Sequence, residues 1–325
     1  MRRPGERRIT PTERRIAPGV HQLALPSRTL PPFTDTWTTL LVANGRAALV
    51  DPGFMDPRDA EVLVDWARRH GARDLDRILL THTHGDHVEG LPALLELLGP
   101  VPVHVHPAEA DRVPGDGDVR PLGDGRRLML GGAVVQAIHT PGHAPGHLAY
   151  ELSWPTDPGG QTDAGGQTQP AGVVAGDLLT GRGSSWIGLP EGDVAAYLDS
   201  LARVRSRAPS WLTVAHGEPI DDPVTALDAA RDHRLRREAA IVAALSEPLG
   251  TDELATRVYG ELDSDPAGHP DGDADDDSDG DLRRSPRSLV RAALLAQLVK
   301  LMREMRVVHL GDDAEGPWVR RQGAT

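Results

Sequence analysis

Apolar residues come in short blocks whose spacing changes along the chain, and those changes predict the elements. Residues 20–51 read as a series of short strands. Within them, Leu40-Leu41-Val42 and Ala47 to Val50 flank Asn44-Gly45, a favoured two-residue hairpin turn. Asp59 to His70 reads as a helix ended by Gly71, Arg77 to Leu80 as a buried strand, and Val88 to Leu98 as a helix stopped by Gly99-Pro100. Further strands are predicted at Val101 to Val105, Ala133 to Ile138, His147 to Leu152, Val173 to Ala175 and Trp211 to Ala215, with a helix over Asp193 to Arg205. Residues 155–172, rich in Gly, Pro, Gln and Thr, read as a flexible loop between paired strands.

The pattern changes after residue 222. Asp222-Pro223 supplies an N-cap and a first-turn proline for a long helix reaching about Leu245. Thr251 to Val258 opens a second helix. Residues 263–285 read as an acidic, disordered linker. Ser288 to Met305 is a third helix, and Val307 to Leu310 with Pro317 to Val319 are a candidate two-stranded wing. The expected division is a flexible tail over 1–19, a first domain over 20–222 and a helical, winged-helix-like domain over 223–325.

Composition narrows the chemistry. With no cysteine, disulfides and thiolate metal sites are excluded, so any metal must be held by His and carboxylates. Only 3% of residues are aromatic, which leaves the core to aliphatic side chains. No apolar run approaches the roughly 18–20 residues of a membrane span, and no apolar stretch follows the Arg-rich N-terminus. The expectation is a cytoplasmic protein without membrane partners. The net charge is −13, but nine acids lie between Asp263 and Asp281; apart from that stretch the C-terminal part is mildly basic.

The candidate chemistry sits at 82–87, His-Thr-His-Gly-Asp-His, directly after a buried strand. Four potential ligands fall within six residues, where a rigid scaffold can aim several side chains at one point. More follow at the ends of apolar runs: His143 and His147, Asp177 after Val173 to Gly176, and His216 before Gly217. His139 is a weaker candidate. His104 and His106 alternate on a strand and read as a solvent-facing edge. Imidazoles and carboxylates suit Zn²⁺, and also Fe or Mn. Two such ions a few ångströms apart make a shared water acidic, so that hydroxide is available near neutral pH to attack a carbonyl or a phosphorus.

The order His-x-His-x-Asp-His, Thr-Pro-Gly-His, Gly-Asp, His-Gly over residues ~20–220 resembles the metallo-β-lactamase superfamily. The resemblance implies a mixed α/β (α+β) fold, an αββα sandwich of two sheets between helices, with a binuclear site at one edge. Carried onto this chain, it places His82, His84 and His143 on one metal and Asp86, His87 and His216 on a second, with Asp177 bridging them. Asp51 supports the site from behind, and His147 lies behind the ligands. Asp86 and His147 are the candidate catalytic groups. His at 84 argues against the diiron flavoprotein branch. Asp177 and the absence of cysteine argue against the antibiotic-hydrolysing branches.

The tail, with His233-Arg234 and Thr251-x-x-Glu253-Leu254, resembles that of β-lactamase-like protein 2, whose site is similar to glyoxalase II. This implies thioester or ester hydrolysis of a small acidic substrate, or cleavage of single-stranded RNA, since relatives do each. A winged-helix nucleic-acid-binding protein is the non-enzymatic alternative. His233, Arg234 and Trp186 are the candidate substrate contacts. An RNA path needs cations, for which Arg231, Arg234, Arg236, Arg237, Arg283, Arg284, Arg287 and Arg291 are candidates. It also needs stacking platforms, and near the motifs only Trp186, Tyr197 and Trp211 offer them. The acidic first domain favours the small substrate. A second copy of the chain is carried as a further partner.

Overall fold

The structure is a computed structural model that describes residues 11–154, 171–260, 286–311 and 316–321. Seven strands form the first sheet in sequence order: β1 (Glu13–Ala17), β2 (Val20–Pro26), β3 (Asp35–Ala43), β4 (Arg46–Val50), β5 (Asp74–Leu79), β6 (Pro102–Val105) and β7 (Asp118–Pro121). It is antiparallel from β1 to β4 and parallel from β4 to β7. Parallel neighbours need crossovers. Helix α1 (Asp59–Arg69) links β4 to β5, and α2 (Gly85–Val88) with α3 (Leu91–Leu98) links β5 to β6. The second sheet runs in the order β12-β11-β10-β9-β8, built from β8 (Arg127–Leu130), β9 (Ala133–His139), β10 (Leu148–Ser153), β11 (Gly172–Val174) and β12 (Leu212–Thr213). Helix α4 (Val194–Arg205) joins β11 to β12.

Alternation along the strands explains the layering. In the first sheet Leu40, Leu49 and Ile78 face the apolar cluster beneath α1 and α3, where Leu63, Trp66, Leu91 and Leu94 are buried. Their neighbours Leu41, Val50 and Leu79 face the other way, against Leu130, Val135, Tyr150 and Val174 of the second sheet. Ile138, Ala149 and Val173 on its far side meet Tyr197, Leu201 and Val204 of α4. Helices, sheet, sheet and helices therefore stack with both sheets covered, and the strands read as continuous apolar runs for that reason. The Asn44-Gly45 turn forms as predicted, with φ of 49° and 83°.

The C-terminal elements are α5 (Pro223–Ala244), α6 (Thr251–Gly260), α7 (Pro286–Arg303), β13 (Val307–His309) and β14 (Trp318–Arg320). Leu245, Leu254, Leu294, Leu298 and Trp318 form a fourth apolar cluster among them. Within the described residues, no helix is long and apolar enough to cross a membrane.

Several expectations need correction. The tail begins the sheet earlier than residue 20, because Arg14 and Arg15 disguise β1, whose Glu13 and Arg15 pair with Leu23 and His21 of β2. The charged strand β7, Asp-Val-Arg-Pro, escapes the apolar pattern for the same reason, and β8, Arg-Leu-Met-Leu, is too short to show a period. The single helix expected over 88–98 is broken between α2 and α3. His104 is buried rather than on a solvent-facing edge, because β7 covers β6. The expected flexible loop, up to residue 170, and the linker at 263–285 lie outside the described residues.

Glycine is sterically required at position 90, between the two helices. A Cβ there would lie 2.4 Å from two ring atoms of Phe54 and 2.5 Å from the Pro52 carbonyl oxygen. Gly90→Ala is expected to lower the unfolding free energy by about 1–3 kcal/mol, the usual cost of overpacking, as read from a shifted urea midpoint with an unchanged slope.

Candidate metal centre

The strands converge their functional loops on one edge of the sandwich. Asp51 follows β4, the 82–87 run follows β5, His143 and His147 lie between β9 and β10, Asp177 follows β11 and His216 follows β12. Gly176 makes the junction possible. Its φ is +52°, and a Cβ would come within 2.7 Å of the Thr81 hydroxyl, so only glycine lets the β11 loop approach the β5 loop this closely.

Three imidazole nitrogens meet in the first group. His84 Nδ1 lies 2.9 Å from both His82 Nε2 and His143 Nε2, which are 3.2 Å apart. The rings stand edge-on to one another at 78–89°. Their outer nitrogens fix the tautomers. His143 Nδ1–H donates to the Trp186 carbonyl at 2.8 Å, and His84 Nε2–H donates to Glu191 Oε2 at 3.0 Å. The Thr81 hydroxyl donates to Asp51 and so accepts from His82 Nδ1–H at 3.0 Å. Each inner nitrogen of the neutral rings then carries a lone pair, and all three point at one place. Such an arrangement repels itself unless a cation sits among the lone pairs.

The second group repeats the logic. His87 Nδ1–H donates to Asp51 Oδ2 at 2.9 Å, and His216 Nδ1–H donates to the Asp35 carbonyl at 3.1 Å. The Nε2 atoms of both, and Asp177 Oδ1, are buried without a hydrogen-bond partner among the described residues. Asp177 Oδ1 lies 3.4 Å from His87 Nε2 and 3.5 Å from His216 Nε2, while Asp86 Oδ2 is 3.3 Å from His216 Nε2. The other oxygen of Asp177 lies 3.5 Å from His143 Nε2, so this carboxylate reaches both groups. Two groups, His82-His84-His143 and Asp86-His87-His216, thus each present ligand atoms within 4.8 Å of one another, as does His82-His87-Asp177. The orphaned atoms and the donor chemistry both fit divalent cations.

Charge tells the same story. Burial drives His82 far below the ordinary histidine range and brings His143 down to about 4, with neighbouring imidazoles adding to both shifts. Burial pulls the same way on His87 and His216. For His87 the carboxylates of Asp177, Asp51 and Asp86 outweigh it, and for His216 those of Asp177 and Asp86 do, so both pKa values rise. Burial opposes the charge on Asp177, yet His216, His87 and His143 hold it well below the usual carboxylate range. The second group calls for positive charge between its carboxylates, as protons or as an ion.

The remaining sequence candidates fall into different places. Asp51 does stand behind the site: Oδ1 accepts from Thr81 N–H, and Oδ2 from the Thr81 hydroxyl, both at 2.7 Å. His147 is buried, its Nδ1 paired with the Thr140 hydroxyl at 2.8 Å and its Nε2 accepting from Asp177 N–H at 3.2 Å. Both its nitrogens are committed to the scaffold. His139 and His106 stack on each other, ring centroids 4.2 Å apart, away from the ligand groups. Trp186 is half-buried, and its indole N–H donates to the Leu289 carbonyl at 3.2 Å. His233 lies half-exposed on α5. The expectation that Arg234 contacts substrate is corrected: it is 6% exposed and donates to the Ser185 carbonyl, so it supports a loop beside the site.

Glu191 and Thr81, which hold the outer nitrogens of His84 and His82, are residues that sequence reasoning missed. Thr81 stands where a buried strand meets the His run, a signal that was present. Glu191 sits in an ordinary Leu-Pro-Glu-Gly-Asp turn, far along the chain from His84, and only the fold brings it there.

The family model described as the metallo-β-lactamase superfamily matches residues 31–153. An atrochrysone carboxyl ACP thioesterase of Aspergillus chevalieri is 30% identical over 251 residues, 75% of this chain and 69% of that protein. The beta-lactamase-like protein 2 homolog of Caenorhabditis elegans is 25% identical over 235 residues, covering 71% of this chain and 73% of that one. The chain spans less than two thirds of the length of two further proteins with the thioesterase name. Among solved structures, a metallo-β-lactamase family protein of Thermus thermophilus superposes with a TM-score of 0.67 at 25% identity, covering 94% of this chain and 99% of that one.

Proposed function

This chain belongs to the metallo-β-lactamase superfamily, and from that membership we propose that it is a two-metal hydrolase acting on the thioester or ester carbonyl of a small acidic substrate. The observation that carries the proposal is the pair of inward-facing ligand groups joined through the two oxygens of Asp177. His82, His84 and His143 would hold one ion, Asp86, His87 and His216 the other, with Asp177 shared. The donors suit zinc, and also iron or manganese. Bound ions would supply Lewis acidity toward the carbonyl and make water acidic enough to ionise near neutral pH.

The side chains divide the remaining work. Asp86 is the more open of the two clustered carboxylates, and it orients the attacking water and takes its proton on a carboxylate oxygen. His147, with both nitrogens committed, positions the Asp177 backbone rather than touching substrate. Phe33 stacks on His216 with ring centroids 5.5 Å apart and forms apolar wall at that side of the site. We read residues 13–222, from β1 onward, as the catalytic unit and 223–325 as a winged-helix-like addition.

Thioester chemistry is favoured by the thioesterases among the relatives. Charge argues against a long RNA: the net charge is −13, and two candidate cations already pair with acids, Arg291 with Asp252 at 2.9 Å and Arg231 with Asp232 at 3.4 Å. The test is a parallel assay of metal-loaded protein on acyl-glutathione, acyl-CoA and labelled single-stranded RNA. Thioester turnover should disappear on chelation and return with Zn²⁺ or Mn²⁺. RNA cleavage without thioester turnover would replace this reading with a nuclease.

A further inference from the structure

The two ligand groups are held from different sides. In the second group, His87 leans on Asp51 and His216 on the Asp35 carbonyl, both from the first sheet or its loops. In the first group, only His82 is held from that side, through Thr81. The other two histidines depend on residues 185–193. The Trp186 carbonyl accepts from His143 Nδ1–H, and Glu191 Oε2 accepts from His84 Nε2–H. Arg112 grips the second oxygen of Glu191 and fixes the carboxylate.

That segment is tied in turn to the C-terminal helices. Arg234 of α5 donates to the Ser185 carbonyl. Trp186 Nε1–H donates to the Leu289 carbonyl and Leu189 N–H to the Ala292 carbonyl of α7, both at 3.2 Å. Arg303 of α7 donates to Asp193 Oδ2 at 2.8 Å. Asp193 N–H then returns to the Gly142 carbonyl, next to His143, at 2.9 Å. Ties to both helices and to two ligand imidazoles thus fall within one short segment.

We propose that residues 185–193 form a positioning strap through which α5 and α7 set the affinity of the first metal position, with Glu191 the positioning residue for His84. An acceptor on the outer nitrogen of a ligand histidine holds its tautomer and its angle, and losing such a partner weakens metal binding by about 10–100-fold. The proposal rests on the two-metal reading above. It adds that the first position is coupled to the C-terminal elements and the second is not.

The test uses full-length protein stripped of metal and titrated with Co²⁺, followed by its visible absorption and by competition with a chromophoric chelator. Wild type should show two binding events. Glu191→Ala should weaken one of them about 10–100-fold and leave the other. Glu191→Gln should recover only part of that loss, because its single amide oxygen can accept from His84 only by turning the NH₂ toward Arg112, which must then swing away. Trp186→Phe keeps an aromatic, though smaller, side chain and the carbonyl but drops the indole N–H tie to α7, and should weaken the same event about fivefold, the effect of one hydrogen bond. It carries the test even where Glu191→Ala fails to fold. Weakening of both events equally, or of neither, in Trp186→Phe or in a folded Glu191→Ala would overturn the strap. Wild type that binds fewer than two ions would overturn the two-metal reading and the strap with it. Two bound ions without thioester turnover would fault only the substrate.

Discussion

Asp177→Ala is expected to reduce thioester hydrolysis at least about 10³-fold, some 4 kcal/mol of transition-state stabilisation, while the protein still folds. The two halves of this expectation have separate causes. Activity falls because Asp177 is the one carboxylate whose oxygens reach both groups, 3.4 Å from His87 and 3.5 Å from His143. Without it the two positions lose their common ligand. The fold survives because Asp177 Oδ1 has no hydrogen-bond partner within the described residues. It is a buried charge kept for the site: removing it relieves a desolvation cost, and gives up the attraction of His216, His87 and His143 that holds it ionised in the metal-free protein. The metal-free variant should therefore still unfold in one cooperative transition, only modestly below the metal-free wild type, while calorimetry of metal binding should show the loss of at least one ion. Wild-type activity in Asp177→Ala would end the two-metal reading. Loss of activity with a collapsed melting temperature would show a scaffold role instead.

Much of this site is legible in the sequence because each ligand stands at the end of an apolar run. A strand buried on both faces leaves a plain signature, such as Ile78-Leu79-Leu80, and the polar residue that follows it must lie at the sheet's edge. That rule alone brings 82–87, Asp177 and His216 to one edge. What holds them there has no such signature. Glu191 reaches His84 from a turn 107 residues away, and the Trp186 carbonyl belongs to the backbone, which every residue type shares. Arg234 misleads for a related reason. An arginine on a helix near the site suggests an anion contact, but the helix buries that face and the guanidinium goes to the Ser185 carbonyl. The strands β1 and β7 are hidden because charged side chains mask their period, and β8 because four residues are too few to show one.

The ligand set is thus supported in two layers with different reach along the chain. Local motifs supply the ligands, and distant loops supply the acceptors that fix their tautomers. Asp51 is where the layers meet on the first-sheet side. It holds His87 directly and His82 through Thr81, one histidine of each group.

That position makes Asp51→Asn the sharpest test of the tautomer argument. Asp51 accepts three hydrogen bonds: from Thr81 N–H, from the Thr81 hydroxyl and from His87 Nδ1–H. Its two carboxylate oxygens meet donors only. An asparagine of the same shape has a single oxygen, so its NH₂ must face at least one of those donors. Turned toward Thr81 N–H it opposes an amide that cannot change, which leaves the NH₂ toward His87 and the Thr81 hydroxyl as the better choice. The hydroxyl can rotate. His87 can escape only by moving its proton to Nε2, the atom that should carry the lone pair for the second ion. Asp51→Asn is therefore expected to fold, to bind the second ion about 10–100-fold more weakly and to lose activity at least in proportion. Imidazole ¹⁵N shifts of the metal-free protein, recorded at a pH high enough to leave His87 neutral, should show it switched from the Nδ1–H to the Nε2–H form. Asp51→Ala should differ in kind. It leaves the Thr81 amide and His87 buried without an acceptor, at roughly 1–3 kcal/mol each, so it should lose stability as well as metal. If Asp51→Asn kept both ions at wild-type affinity, His87 would not depend on Asp51 for its tautomer, and support of the second position would have to come from the Asp177 side alone.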